Sequence, residues 1–205
     1  MMTKFRLYIG SVSSNPDRLH RREGVKWIVH SDFVEAPYPR NDIGIIKVNH
    51  PFGDRSNRAQ IPKHFPYNAD TIVVALGFGA TRLSDTTEFA VYPDKLQKLT
   101  TKIKEHMVNV DSDTFFIGDY NHNVCYGDSG GPVIHNQTVI GIISSIGFHQ
   151  RNPNCKANYA RVVKVANYYD WIELSINNTS YSISNDPVLR YVFLLWSHYS
   201  FLLTV

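Results

Sequence analysis

Cys125-Tyr-Gly-Asp-Ser-Gly-Gly-Pro132 holds a serine among residues that can turn its hydroxyl into a nucleophile. A serine attacks a carbonyl only when a base takes its proton and backbone N–H groups catch the developing oxyanion. Gly127 lets the chain turn back, so its own N–H and that of Ser129 can converge on one point. Gly130 and Gly131 keep bulk away from Ser129, and Pro132 stiffens the exit into apolar Val133-Ile134. Upstream, Asn41-Asp42-Ile-Gly-Ile-Ile-Lys-Val48 sets an acid before a short apolar run. Tyr38-Pro39-Arg40 precedes it, which is the pattern of a strand entered from a turn. Each string has a bland reading: a Gly/Ser turn in one case, a polar strand end in the other. Taken together, they fit acyl transfer through a serine.

Cys125 to Pro132 resembles the nucleophile loop of the chymotrypsin/trypsin family of serine endopeptidases, and Asn41 to Val48 resembles that family's Asn-Asp-Ile-Ala-Leu-Leu signature. Asp42 precedes Ser129, as the chymotrypsin chain order His, Asp, Ser requires. By resemblance, Ser129 is the nucleophile and Asp42 holds the histidine tautomer and stabilises the imidazolium. Gly127 and Ser129 supply the oxyanion hole. The resemblance covers residues 4 to 175, and it implies an all-β fold. That fold has two six-stranded antiparallel β-barrels, the first incomplete, and a C-terminal helix. The expected divisions are an incomplete N-terminal barrel (1–66), a C-terminal barrel (67–175) and a tail (176–205).

The histidine of the family does not stand where the resemblance requires it. Its Ala-Ala-His-Cys motif is absent from the sequence, and only His20 and His30 precede Asp42. His20 lies in the charged stretch Arg18-Leu-His-Arg-Arg22, and His30 matches a non-catalytic position of the family. The family's mature amino terminus, whose freed α-amino group pairs with the carboxylate before the nucleophile, is missing as well. Asp128 is therefore expected to lack that partner, with an oxyanion hole left unordered. A chain recorded without its opening segment, and inactive as written, is the leading expectation. A non-catalytic homologue acting as a binding or regulatory protein is the alternative.

The elements that must position these residues are short β-like runs between turns. They are Lys4–Gly10, Lys26–His30, Ile43–Val48, Ile72–Gly77, Val133–Ile134, Thr138–Ser145 and Asn158–Val165. Leu76-Gly-Phe-Gly79 resembles the turn that opens the family's second barrel. Asn167-Tyr-Tyr-Asp-Trp-Ile-Glu173 resembles its closing helix, with Trp171 and Ile172 on the packing face. The most basic run, Lys95 to Lys104, reads as a solvated loop or short helix. A length of 205 residues with 43% hydrophobic content suffices for a substantial core. The net charge of +3 is spread along the chain and gives no case for nucleic-acid binding.

Two cysteines, Cys125 and Cys155, say little by themselves. In the family context they match the pair that fastens the nucleophile loop to the far wall of the substrate pocket, which implies an oxidising, extracellular setting. The pocket residues implied are Asn123 on the floor, Ser145-Ile146-Gly147 on the wall strand Ser144–Gly147, and Ala157 or Lys156 at the mouth. Asn123 carries no charge, so uncharged substrate side chains are favoured over Arg or Lys. Asp119 is the competing source of charge, discounted as a hydrated loop residue. Protein or peptide substrates and protein protease inhibitors are the implied partners, with no metal or organic cofactor.

Met-Met-Thr-Lys-Phe-Arg-Leu has no apolar core of signal-peptide length. Sequons stand at Asn136, Asn177 and Asn178. The apolar tail Tyr191–Val205 is shorter than the ~20 residues a spanning helix needs. Its spacing from Asn178-Thr-Ser180 fits a lipid-anchor signal, against which Arg190 and Trp196-Ser-His198 argue. An extra packed segment or a misread exon is the preferred reading of the tail.

Overall fold

The computed structural model describes residues 6–8, 21–35, 39–50, 59–83, 90–105, 112–147, 155–178, 191–194 and 203–204. Thirteen strands are β1 (Arg6–Tyr8), β2 (Arg21–Val29), β3 (Gly44–Val48), β4 (Ile72–Gly77), β5 (Arg82–Leu83), β6 (Ala90–Val91), β7 (Gln97–Lys102), β8 (Thr114–Ile117), β9 (Pro132–His135), β10 (Thr138–Ile146), β11 (Ala160–Lys164), β12 (Tyr191–Leu194) and β13 (Leu203–Thr204). A 3₁₀ turn over Val165–Tyr168 leads into helix α1 (Tyr169–Asn178). The expected all-β class with a closing helix is the class observed. His20 and most of the tail lie outside the described residues.

Six antiparallel strands in the order β7-β4-β9-β10-β11-β8 form the second unit. The sheet curls until its two ends approach: the Lys104 N–H, just past β7, donates to the Phe116 carbonyl of β8 at 2.8 Å. Inside lie Val73, Ala75, Phe115, Ile117, Val124, Val133, Ile140, Ile143, Ala160 and Val162. The hairpin β9–β10 turns through Asn136 and Gln137, both at positive φ (45° and 64°), as a two-residue turn with the sheet's twist requires.

The basic run from Lys95 is not a loop or a helix. It is β7, at the edge of the sheet, paired only with β4 among the described strands. Leu99 and Thr101 are half-buried, while Lys98, Thr100 and Lys102 are exposed. Outward lysines keep such an edge from pairing with another chain.

Among the described residues, the strands of the first unit form a five-stranded sheet in the order β1-β2-β3-β12-β13. Two of its strands come from the tail, with Leu194 opposite Gly44 and Tyr191 opposite Lys47. The described tail segments therefore pair as strands with this sheet. Among the described residues no helix is long and apolar enough to cross a membrane.

The two units meet on a second apolar cluster. Ile43, just before β3, and Ile45 within it pack with Val139, Ile142, Val163, Val165, Tyr168 and Ile172. Ile172 is fully buried and Trp171 packs beside it, as the pattern of the closing helix predicts. Burying one such aliphatic side chain contributes about 1.5–3 kcal/mol. Asp42 immediately precedes Ile43, so this seam holds the acid in place.

Candidate active site

Asp42 reaches the seam through a tight local turn. Asn41 adopts a left-handed conformation (φ 50°), which asparagine tolerates better than most residues. The Ile43 N–H donates to the Asn41 carbonyl at 2.9 Å, closing a three-residue turn with Asp42 at its centre. Asn41 is anchored in turn: its N–H donates to Asp113 Oδ2 (3.1 Å) and its amide nitrogen to the Asp32 carbonyl (2.9 Å). The Tyr168 hydroxyl donates to Asp113 Oδ2 at 2.7 Å and lies 2.9 Å from Asn41 Oδ1. The turn, the segment just before β8 and the 3₁₀ turn leading into α1 thus fix one another.

The Asp42 carboxylate is 1% exposed and accepts a 2.7 Å hydrogen bond from Ser144 Oγ. Ser144 occupies a break in the ladder, where the register between β10 and β11 shifts between Ile143 and Ser145. A bulge re-aims a side chain that regular pleating would direct elsewhere. Here it directs Ser144 across the seam. The Ser144 carbonyl also accepts from Ser129 Oγ at 3.1 Å. One residue therefore links the acid to the candidate nucleophile. Sequence reasoning placed Ser144 on the wall strand Ser144–Gly147 but gave it no role of its own; no local pattern marks a bulge.

Around Ser129 the backbone amides divide into two groups. The Asp128 N–H donates to the Cys125 carbonyl, Gly130 to Ile143 and Gly131 to Asp128. Among the described residues, neither the Gly127 nor the Ser129 N–H donates to a protein acceptor. Gly127 and Gly130 take φ values of 91° and 84°, which side-chain-bearing residues rarely adopt. Two backbone donors beside a serine hydroxyl can hold an oxyanion.

Asp128 is not left unpartnered. Its Oδ1 accepts from the Gly79 N–H (2.8 Å) and its Oδ2 from the Cys125 N–H (2.8 Å). Burial pushes its carboxyl up from the ordinary 3.8, opposed by those two donors. The carboxylate lies so close over Gly77 and Gly79 that a Cβ at either would overlap it, which explains both glycines of Leu76-Gly-Phe-Gly79. A cleft of about 330 Å³ adjoins it, lined in part by Gly77, Asn123, Cys125 and Cys155. A larger groove of about 850 Å³ near Asp70, Lys102 and His122 includes neither Asp42 nor Ser129, so its size does not mark the site.

Cys125 and Cys155 form a disulfide, with Cα atoms 5.3 Å apart and a sequence separation of 30. Closing a loop of that length stabilises by about 3–4 kcal/mol in the chain-entropy treatment. The bond ties the serine loop to the segment carrying Ala157. Asn123 adds a second tie, its amide nitrogen donating to the Ala157 carbonyl (2.7 Å) and its oxygen accepting from the Val124 N–H (3.0 Å). Ile146 ends β10, Gly147 follows it, and the Tyr159 ring packs where a Cβ on Gly147 would project. Asp119 turns onto its own loop, accepting from the Asn121 and His122 N–H groups at 2.9 and 3.0 Å.

Several described histidines have settings of their own. The His30 ring packs edge-on to Tyr168 (5.4 Å between centroids) and tilted against Trp171 (5.1 Å). His122 lies beside Asp119, and His135 Nδ1 is 2.8 Å from the Ile72 carbonyl.

A curled six-stranded antiparallel sheet, a closing helix and a glycine-rich serine loop facing a buried aspartate define a chymotrypsin-like protein. The chain belongs to the trypsin family, whose model matches residues 2–172. It is 32% identical over 144 residues to snake venom serine protease KN9 of Trimeresurus stejnegeri, covering 64% of this chain and 53% of the relative. It is 26% identical over 189 residues to human kallikrein-5, covering 86% and 61%. Against cationic trypsin-3 of Rattus norvegicus the identity is 29% over 148 residues, covering 66% and 56%. The matches thus span a little over half the length of these relatives.

Proposed function

We propose that this site belongs to a serine endopeptidase acting on extracellular protein or peptide substrates. The observation that carries the reading is the link from Asp42 through Ser144 to Ser129, beside the two undonated amides of Gly127 and Ser129. In this mechanism Ser129 Oγ bonds to the peptide carbonyl carbon as a histidine takes its proton. The Gly127 and Ser129 N–H groups hold the oxyanion. The histidine then protonates the leaving amine, and water hydrolyses the acyl ester on Ser129. Asp42 orients the histidine and stabilises its charged form.

The 205-residue sequence carries no histidine in the family's motif, so the chain as written does not turn over at family-like rates. Loss of a triad member leaves only ~10³–10⁴-fold over water. The cleft beside Asp128 suits the freed α-amino group that the family's mature chains bring to that carboxylate. Its two backbone donors hold Asp128 meanwhile. Protein protease inhibitors are the further partners this reading implies.

An active-site ester titrant tests it. The expected result is no stoichiometric burst from the chain as written. A burst equal to the protein concentration and abolished by Ser129→Ala overturns the inactivity. The second reading, a non-catalytic binding homologue, is favoured by the separate settings of His30, His122 and His135. Transcript sequence before Met1 separates the two: an in-frame Ala-Ala-His-Cys supports the enzyme, and an untranslated leader supports the homologue.

A further inference from the structure

We propose that Asn136 is an N-glycosylation site, which carries an oligosaccharide at the tip of the β9–β10 hairpin. The inference rests on the extracellular reading given above and deepens it. Asn136-Gln137-Thr138 has the acceptor pattern: an asparagine two residues before a hydroxyl side chain, with no proline between. Of the three such patterns in the chain, it alone lies wholly within the described residues. Asn177 and Asn178 end α1, and Thr179 and Ser180, which complete their patterns, lie outside. The donor is an oligosaccharide linked to a lipid through pyrophosphate. Asn136 Nδ2 bonds to the anomeric carbon of its first sugar, the bond from that carbon to the pyrophosphate oxygen breaks, and one amide proton is lost as the lipid pyrophosphate leaves.

A bulky, hydrated modification needs an asparagine at the surface whose own contacts survive the loss of one hydrogen. Asn136 and Gln137 are both exposed, and their positive φ values (45° and 64°) turn the chain at the tip. His135 Nδ1 lies 2.8 Å from the Ile72 carbonyl, which only accepts, so in the neutral ring that nitrogen carries the proton. Nε2 is then an acceptor, and Asn136 Nδ2 donates to it at 3.1 Å. An amide nitrogen has two hydrogens, so the glycosylated amide keeps one for His135. The contact that orients the side chain is retained, and the other hydrogen gives way to the sugar. Phe65 packs edge-on to the His135 ring (5.5 Å between centroids), and Ile72 is 61% exposed, so the first sugar stands beside an apolar patch. The tip is also the far end of the hairpin from the candidate nucleophile. Ser129 Oγ donates to the Ser144 carbonyl, and Thr138 to Ser144 is about 20 Å of extended strand. A glycan on Asn136 therefore leaves the approach to Ser129 open.

The test is mass spectrometry of the full chain secreted by cultured animal cells behind an added secretion leader. Peptide N-glycosidase in heavy-oxygen water converts a glycosylated asparagine to a labelled aspartate, which peptide mapping locates. The expected result is label at position 136, lost in Asn136→Gln and Thr138→Ala and kept in Thr138→Ser. The glycosidase is expected to act on the folded protein, because the tip is exposed; release only after denaturation overturns the placement. Secreted protein with the Cys125–Cys155 disulfide formed and no label at position 136 overturns the inference and leaves the extracellular reading intact. No label together with two free cysteines overturns both. Transfer precedes completion of folding, so a variant held inside the cells is read in the same way from the lysate.

Discussion

Ser144→Ala removes one hydroxyl from the seam between the two units and leaves the Asp42 carboxylate without its 2.7 Å donor. Both residues are nearly inaccessible, at 2% and 1% exposure, so solvent cannot readily replace the lost bond. Hydrogen bonds to charged groups contribute about 1.5–3 kcal/mol, and the small volume change adds little cavity cost. The expected destabilisation is about 2 kcal/mol, or about 4–8 °C in Tm for a chain of this size. Urea unfolding followed by tryptophan fluorescence measures it, since Trp27 lies in β2 and Trp171 in the closing helix. A double-mutant cycle with Asp42→Asn isolates the pair, and a coupling of at least ~1 kcal/mol is expected for groups in direct contact. A Ser144→Ala variant within ~0.5 kcal/mol of wild type, or additive effects in the cycle, would refute the argument.

Three further outcomes follow from single contacts. Tyr67→Phe should destabilise by about 2–4 kcal/mol, because the Tyr67 hydroxyl donates to the Ile140 carbonyl (2.8 Å) and accepts from the Ala166 N–H (3.2 Å), leaving two partners unsatisfied; an unchanged denaturant midpoint contradicts this. Asn123→Asp should cost about 1–3 kcal/mol in thermal unfolding, since a carboxylate oxygen would face the Ala157 carbonyl where an amide now donates; a neutral effect shows that the tie does not form. Asp128 is raised above 3.8 by burial, so the folded state favours its neutral form. Its contribution is full below the unfolded value and is lost as pH rises through the raised folded one. The Tm of wild type minus that of Asp128→Asn should therefore fall as pH rises above about 3.8, and a difference that grows with pH contradicts the sign.

The serine loop and the Asp42 strand were legible in the sequence because each is a local string whose residue types and spacing state its chemistry. The strands with clear apolar runs, β3, β4 and β10, were legible for the same reason. Ser144 was not, because its role depends on a ladder irregularity and on a partner 102 residues away. β7 was misread because lysines at 95, 98 and 102 repeat at three- and four-residue spacings, as a helical face does; its edge position lets Lys98 and Lys102 face water. β8 was overlooked because all four of its residues are buried and show no alternation. The addition of β12 to the edge of β3 is a long-range pairing that composition cannot reveal.

The most direct test of the central claim supplies the base from solution. The chain is incubated with a p-nitrophenyl ester, with and without imidazole, and the acyl group is located by mass spectrometry after proteolysis. The account predicts acylation of Ser129 that depends on imidazole, is lost in Ser129→Ala and is weakened in Asp42→Asn. Acylation spread over lysines, equal in wild type and Ser129→Ala and indifferent to imidazole, would contradict it.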